Sequence, residues 1–186
     1  MVVDNGSLYL EKLINYIWSR KVIIIRVDPF RCDLKKLKIE NIDGVFLTGG
    51  NNRFVDKKRD FNFSIIRIFR DKPVIGICLG HEFLIEFYKG ALYKMNRKVK
   101  GYSYINVIKD NELAERGKIA VFKSHEYAAG ILPDCFEQLA WSGDCENEMV
   151  EHKQKLNFGV QFHPEMNFDG QTILDNFLKL CKKTAS

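Results

Sequence analysis

The sequence predicts an α/β fold, a three-layer sandwich with a mixed, largely parallel central sheet. Two observations carry that expectation. In the first half, short β-branched runs alternate with stretches whose apolar residues recur at helical spacing, the pattern of a parallel sheet covered on both faces. In the second half, short strand-like runs follow one another through tight turns, which extends the sheet in antiparallel fashion. The chain has 186 residues, of which 46% are hydrophobic. That is enough for one domain spanning 1–186 with an ordinary core, and nothing in it resembles a disordered composition.

The elements follow in order. Met1-Val2-Val3-Asp4 reads as a strand, and Leu8, Leu10, Leu13, Ile14 and Ile17 mark a helix over 8–20. Strands are expected over 22–27, 44–47 and 73–77, with a helix over 61–69 before the last of them. Further strands are expected over 102–108, 119–122, 136–140, 149–152 and 158–162, and a closing helix over 171–181. Ligands of such sheets bind beyond the carboxyl ends of the parallel strands. That rule directs attention to the segments after Leu47 and Ile77.

Charge and cysteine content exclude several classes. The net charge of +5 is modest. The clusters Lys57-Lys58-Arg59 and Arg97-Lys98-Val99-Lys100 are interrupted by acidic or apolar neighbours, so they read as solvated surface and not as a nucleic-acid footprint. No apolar run reaches the roughly 18 residues of a membrane helix. The five cysteines (Cys32, Cys78, Cys135, Cys145, Cys181) form no CxxC pair, and His81, His125, His152 and His163 do not fall at ligand spacing, so no metal site is expected. An odd number of thiols and the lack of a secretory leader point to the reducing cytoplasm.

The densest chemical signal is Gly76-Ile77-Cys78-Leu79-Gly80-His81-Glu82, where an apolar strand runs into Gly-x-Cys-x-Gly and then a helical pattern. Glycines on both sides of a cysteine suit a sharp strand-to-helix turn, the sulfur counterpart of a nucleophile elbow. The turn lifts the thiol above the sheet beside a helix N-terminus, whose partial positive charge favours thiolate. A small buried cysteine is the alternative. A base is available in Gln161-Phe162-His163-Pro164-Glu165: His163 can take the thiol proton and return it to a leaving amine, while Glu165 fixes the tautomer. Leu47-Thr48-Gly49-Gly50-Asn51-Asn52 ends a strand in two glycines. The Gly50 and Leu79 amides are candidates for an oxyanion hole; an ordinary β-turn fits the Gly-Gly run equally well.

These three motifs, in this order and over nearly the whole chain, resemble the class I (triad) glutamine amidotransferases. The resemblance implies a flavodoxin-like sheet and attack of Cys78 on the side-chain amide of L-glutamine through a γ-glutamyl thioester. It also implies delivery of ammonia to a separate synthetase site. Within the family the chain is most similar to the stand-alone glutaminase subunits of GMP synthetases, through Asp4-Asn5-Gly6-Ser7, the run from Leu132 to Ser142, and Glu151-His152-Lys153. That similarity implies a partner ATP-pyrophosphatase subunit carrying ATP and Mg, with no cofactor in this chain. Lys123-Ser124-His125 matches the family's Ser-His loop, which is expected to hold the glutamine α-carboxylate. Gly49, Glu82, Ser124, His125 and Glu126 are therefore the expected substrate contacts. Glu82 stands where the family has glutamine, Asn51 where a proline or other turn residue follows the glycines, and Glu126-Tyr127 where Gly-Asp or Lys-Asp is usual. Two other readings stay open: a hydrolase of γ-glutamyl amides or peptides with no synthetase partner, and a binding protein derived from a glutaminase. The absence of a Gly-x4-Gly-Lys-Ser/Thr loop places ATP chemistry elsewhere.

Overall fold

A computed structural model describes residues 1–51 and 54–185; Asn52, the end of the Gly-Gly-Asn-Asn run, lies outside them. Five parallel strands, β1 (Val2–Val3), β2 (Arg26–Val27), β3 (Val45–Leu47), β4 (Val74–Ile77) and β9 (Asn157–Val160), form one half of a curled nine-stranded sheet. Antiparallel strands β5 (Ala91–Val107), β6 (Gly117–Ile131), β7 (Phe136–Trp141) and β8 (Met149–His152) complete it in the order β2-β1-β3-β4-β9-β8-β7-β5-β6.

Alternation along the parallel strands creates the layers. Val2, Phe46, Ile75 and Ile77 face one side, where they meet α1 (Leu10–Ser19) and α4 (Phe168–Ala185) through Leu13, Ile17, Ile173 and Phe177. Val3, Val45, Leu47 and Val74 face the other, against α2 (Asp56–Ile68) and α3 (Leu79–Phe87) through Phe61, Ile65, Leu84 and Ile85. Successive strand residues point to opposite faces, so strands covered on both sides read as continuous apolar runs. Burying each Val, Leu, Ile or Phe contributes about 1.5–3 kcal/mol, which makes this two-sided burial the main force holding the sandwich.

Several expectations need correction. Only Arg26–Val27 of the run 22–27 forms a strand, and Ile23 is almost fully exposed beyond it. Helix α2 begins at Asp56, well before Phe61, and α4 extends beyond 171–181 at both ends. Strands β5 and β6 are far longer than expected and form a ribbon that is largely exposed at its outer part. Residues 123–125, expected in a loop, sit inside β6, with His125 opposite Val99 and Ser124 opposite Lys100. Lys58 is not solvated surface: it is buried, and its ammonium donates to the carbonyls of Asn5 and Asn51. No described helix is long and apolar enough to cross a membrane.

Candidate active site

The carboxyl ends of three parallel strands converge on one spot. At the end of β4, Cys78 has φ 49° and ψ −104°, a positive-φ conformation that non-glycine residues rarely adopt. Its neighbours permit the bend. A Cβ on Gly76 would lie 2.5 Å from the Gly80 carbonyl oxygen, and one on Gly80 would lie 2.1 Å from the Leu47 carbonyl oxygen. Helix α3 therefore starts immediately after the cysteine and packs directly on β3. The Cys78 N–H donates to Val160 O at 2.8 Å, tying the bend to the neighbouring strand β9.

Three residues beyond β9, His163 is buried and its Nδ1 lies 2.9 Å from Glu165 Oε1. Its main-chain N–H donates to Phe122 O at 2.8 Å, which joins the β9 end to β6. The Tyr9 ring stands edge-on to the imidazole, 4.6 Å between centroids. Burial pushes His163 down, but the adjoining Cys78 sulfur and the Glu165 carboxylate outweigh it and bring the imidazole up to about 10. The imidazolium form is thus favoured beside the sulfur. A Cβ on Gly49 would come within 2.8 Å of His163 Cε1 and 3.5 Å of Cys78 Cβ. Glycine is needed there because the β3 end passes between both side chains.

A cavity of about 390 Å³ opens over the sulfur, lined by Gly50, Cys78, Leu79, Glu82, Ser124 and Glu126 among others. That volume suits a small metabolite. Leu79 is the first residue of α3, where main-chain N–H groups lack helical partners and the dipole favours negative charge. The Cys78 thiol points across the pocket to the Ser124 carbonyl, 3.8 Å away. His125 is not a surface histidine: it is buried, and burial above all lowers it to about 4, so it is neutral. With its Nδ1 2.9 Å from Tyr127 O, that nitrogen carries the proton and donates. Glu82 is buried at the pocket wall.

The expected nucleophile, base, carboxylate, glycine turn and substrate contacts therefore gather at one place. Sequence reasoning missed Tyr9 against His163, and Lys98, which lines the pocket mouth. Lys98 arrives there through a bulge in which residues 95–98 oppose Glu126 alone, between the pairs Lys94–Tyr127 and Val99–His125. No local pattern announces a bulge of that kind. A larger open groove of about 930 Å³ between α1 and the sheet edge is lined by Trp18, Ile23 and Ile24 among others, with no cysteine or histidine among its lining residues.

Chemically, the arrangement offers a sulfur nucleophile and an imidazolium able to protonate a leaving amine, in a pocket that Gly50 and Leu79 also line. Comparison with known proteins agrees with that chemistry. The family model for glutamine amidotransferase class-I matches residues 1–181. A subunit of the glutamine-hydrolysing GMP synthase of Methanococcus maripaludis is 31% identical, over 97% of this chain and 96% of that protein. The corresponding GMP synthase subunit of Pyrococcus abyssi is 29% identical over 97% of each. A crystal structure of a proposed GMP synthase subunit from Thermoplasma acidophilum superposes with a TM-score of 0.86 at 25% identity, covering 98% of this chain and 92% of that one. A glutamine amidotransferase from Thermotoga maritima shares the fold, with a TM-score of 0.73 at 20% identity over 98% and 83% of the two chains. The chain belongs to the class I glutamine amidotransferases.

Proposed function

We propose, from its place in that family, that the chain is the glutaminase component of a two-chain GMP synthetase. It would hydrolyse L-glutamine and pass ammonia to a separate ATP-dependent subunit. The observation that carries the chemistry is the strained Cys78 elbow beside a buried His163–Glu165 pair, with a pocket of metabolite size over the sulfur. The choice of partner rests on relatives named as GMP synthase subunits that match along almost their whole length.

The Cys78 thiolate attacks the γ-carboxamide carbon of glutamine, and the carbonyl π electrons move onto oxygen. The main-chain N–H groups of Gly50 and Leu79 receive that oxyanion. As the tetrahedral intermediate collapses, the C–N bond breaks and the His163 imidazolium protonates the leaving nitrogen, which departs as ammonia. A γ-glutamyl thioester remains on Cys78. Neutral His163 then removes a proton from water, which adds to the thioester carbonyl. Breakage of the C–S bond releases glutamate and restores the thiolate–imidazolium pair. Glu165 keeps the Nδ1–H of His163 in place throughout and stabilises its cationic form. Gly49, Glu82, Ser124, His125 and Glu126 surround the amino-acid portion of the substrate. ATP and Mg chemistry belongs to the partner, and five unbridged cysteines suit a reducing cytoplasm.

The test is ammonia release from glutamine by the purified chain, with and without a co-expressed candidate ATP-dependent subunit, with Cys78→Ala as control. Cys78-dependent release that rises with the partner is the expected result. Equal release with and without it would favour a free-standing γ-glutamyl hydrolase. No release in either condition would leave a binding role.

A further inference from the structure

A group of buried polar side chains surrounds the Gly49–Gly50 peptide. Asn5, Thr48 and Asn62 are essentially inaccessible, and Lys58 is nearly so. Asn5 N–H donates to Thr48 Oγ1 at 2.9 Å, and that hydroxyl donates to Gly49 O at 3.0 Å. Asn5 Nδ2 donates to Thr48 O at 3.0 Å, and Asn5 and Asn62 exchange amide hydrogen bonds at 2.8 and 3.1 Å. The Lys58 ammonium donates to Asn5 O at 2.8 Å and Asn51 O at 2.9 Å. It thereby fastens both sides of the antiparallel bridge between Gly6 and Gly50.

This arrangement has a directional consequence. In a planar trans peptide the C=O and N–H point opposite ways. Because the Thr48 hydroxyl holds Gly49 O on the buried side, the Gly50 N–H is turned away from Thr48. A flipped peptide would lose the Thr48 bond and place its carbonyl where an oxyanion forms. The Asn5 carbonyl also packs so closely on Gly50 that a Cβ there would lie 2.1 Å from its oxygen. Lys58 is burdened by desolvation, which lowers its pKa, with Asp4 partly offsetting that effect. A charge sequestered at such cost, bonded to two main-chain carbonyls beside a reactive centre, calls for a role in that centre.

We propose that Thr48 and Lys58 are positioning residues that lock the Gly49–Gly50 peptide with the Gly50 N–H presented to the oxyanion, so that this half of the hole is preformed in the free chain. The inference rests on the glutaminase reading above.

The experiment compares Thr48→Val, Thr48→Ser, Lys58→Met and wild type, each with the co-expressed ATP-dependent partner. It follows ammonia release from glutamine together with alkylation of Cys78 by iodoacetamide, a displacement at carbon that forms no oxyanion. A misplaced donor should lower kcat on the order of 10- to 100-fold while KM shifts by less than about threefold. The iodoacetamide rate should stay at the wild-type value in both Thr48→Val and Lys58→Met. Thr48→Ser, which restores the hydroxyl, should recover most of kcat. Wild-type kcat in Thr48→Val and Lys58→Met overturns the proposal, as does a parallel loss of kcat and alkylation in Lys58→Met. If Thr48→Val does not fold, Lys58→Met and Thr48→Ser decide the question by the same readouts. A wild-type chain that releases no ammonia removes the glutaminase reading itself, an outcome distinct from unchanged variants of an active enzyme.

Discussion

Replacing Glu165 by Gln isolates one interaction whose geometry is well defined. The carboxylate sits 2.9 Å from His163 Nδ1, and both side chains are almost wholly buried. A hydrogen bond to a charged partner contributes about 1.5–3 kcal/mol and a neutral one about 0.5–1.5. The amide retains an acceptor oxygen but loses the charge, so the imidazolium loses about 1–2 kcal/mol. At 1.36 kcal/mol per decade this amounts to about 5- to 30-fold in kcat. The pH profile gives an independent reading. Glu165 helps to hold His163 up at about 10, so the cationic form survives until the pH rises through that value. Removing the carboxylate lowers the imidazole, and the basic limb of kcat/KM should move to lower pH. Glutamate formation followed over roughly pH 6–11 tests both effects. A variant with kcat within about twofold of wild type and an unmoved basic limb would refute the assignment of His163 and Glu165 as a working pair.

Two further outcomes follow from strain and from buried charge. Cys78 holds an unfavourable backbone conformation that costs on the order of 1–3 kcal/mol in a residue with a Cβ. Cys78→Gly and Cys78→Ala should both lose ammonia release, but the glycine variant should be more stable to urea than the alanine one by about 1 kcal/mol; equal midpoints would refute stored strain at the elbow. Lys123 is wholly buried against Ser142 Oγ at 2.8 Å, Asp144 and Glu148, with burial raising the Glu148 carboxyl despite the lysine. Lys123→Met leaves that carboxyl without its cation and should destabilise the chain by about 3–5 kcal/mol, while the double variant with Glu148→Leu should regain most of the loss. A double variant no more stable than Lys123→Met would argue against a paired cluster.

What is legible in the sequence depends on burial. Strands β3 and β4 are covered on both faces, so nothing interrupts their apolar runs, and the pattern of β8 gives its observed bounds, Met149–His152. The elbow is legible because two glycines at fixed offsets are a steric requirement, visible as the contacts a Cβ would make with Gly80 O and Leu47 O. The outer part of β5 is not legible. Lys94, Arg97, Lys98 and Lys100 lie on an exposed ribbon, where main-chain pairing needs no apolar side of period two. The run 22–25 misleads in the other direction: its β-branched residues have strand propensity, but pairing with β1 involves only Arg26 and Val27. Lys58 looks like its charged neighbours, because its two carbonyl partners, Asn5 and Asn51, come from outside its own helix.

The curled sheet draws the two walls of the pocket from different parts of its strand order. Cys78, His163 and the Gly49–Gly50 turn all follow the carboxyl ends of parallel strands, β4, β9 and β3, whose positions are dictated by a core packed on both faces. The opposite wall of the pocket, Ser124 to Tyr127, comes from β6, at the far edge of the sheet. Beside the reacting sulfur the two walls are joined through main-chain carbonyls of β6: His163 N–H donates to Phe122 O, and the Cys78 thiol faces Ser124 O. Contacts to a main chain tolerate side-chain change, so β6 can vary at Glu126 and Tyr127 without moving Cys78 or His163. Under the proposed function, departures from the family pattern at those two positions bear on what the pocket admits. The elbow, the His163–Glu165 pair and the Gly49–Gly50 turn, on which the proposed hydrolysis depends, are built into the parallel half.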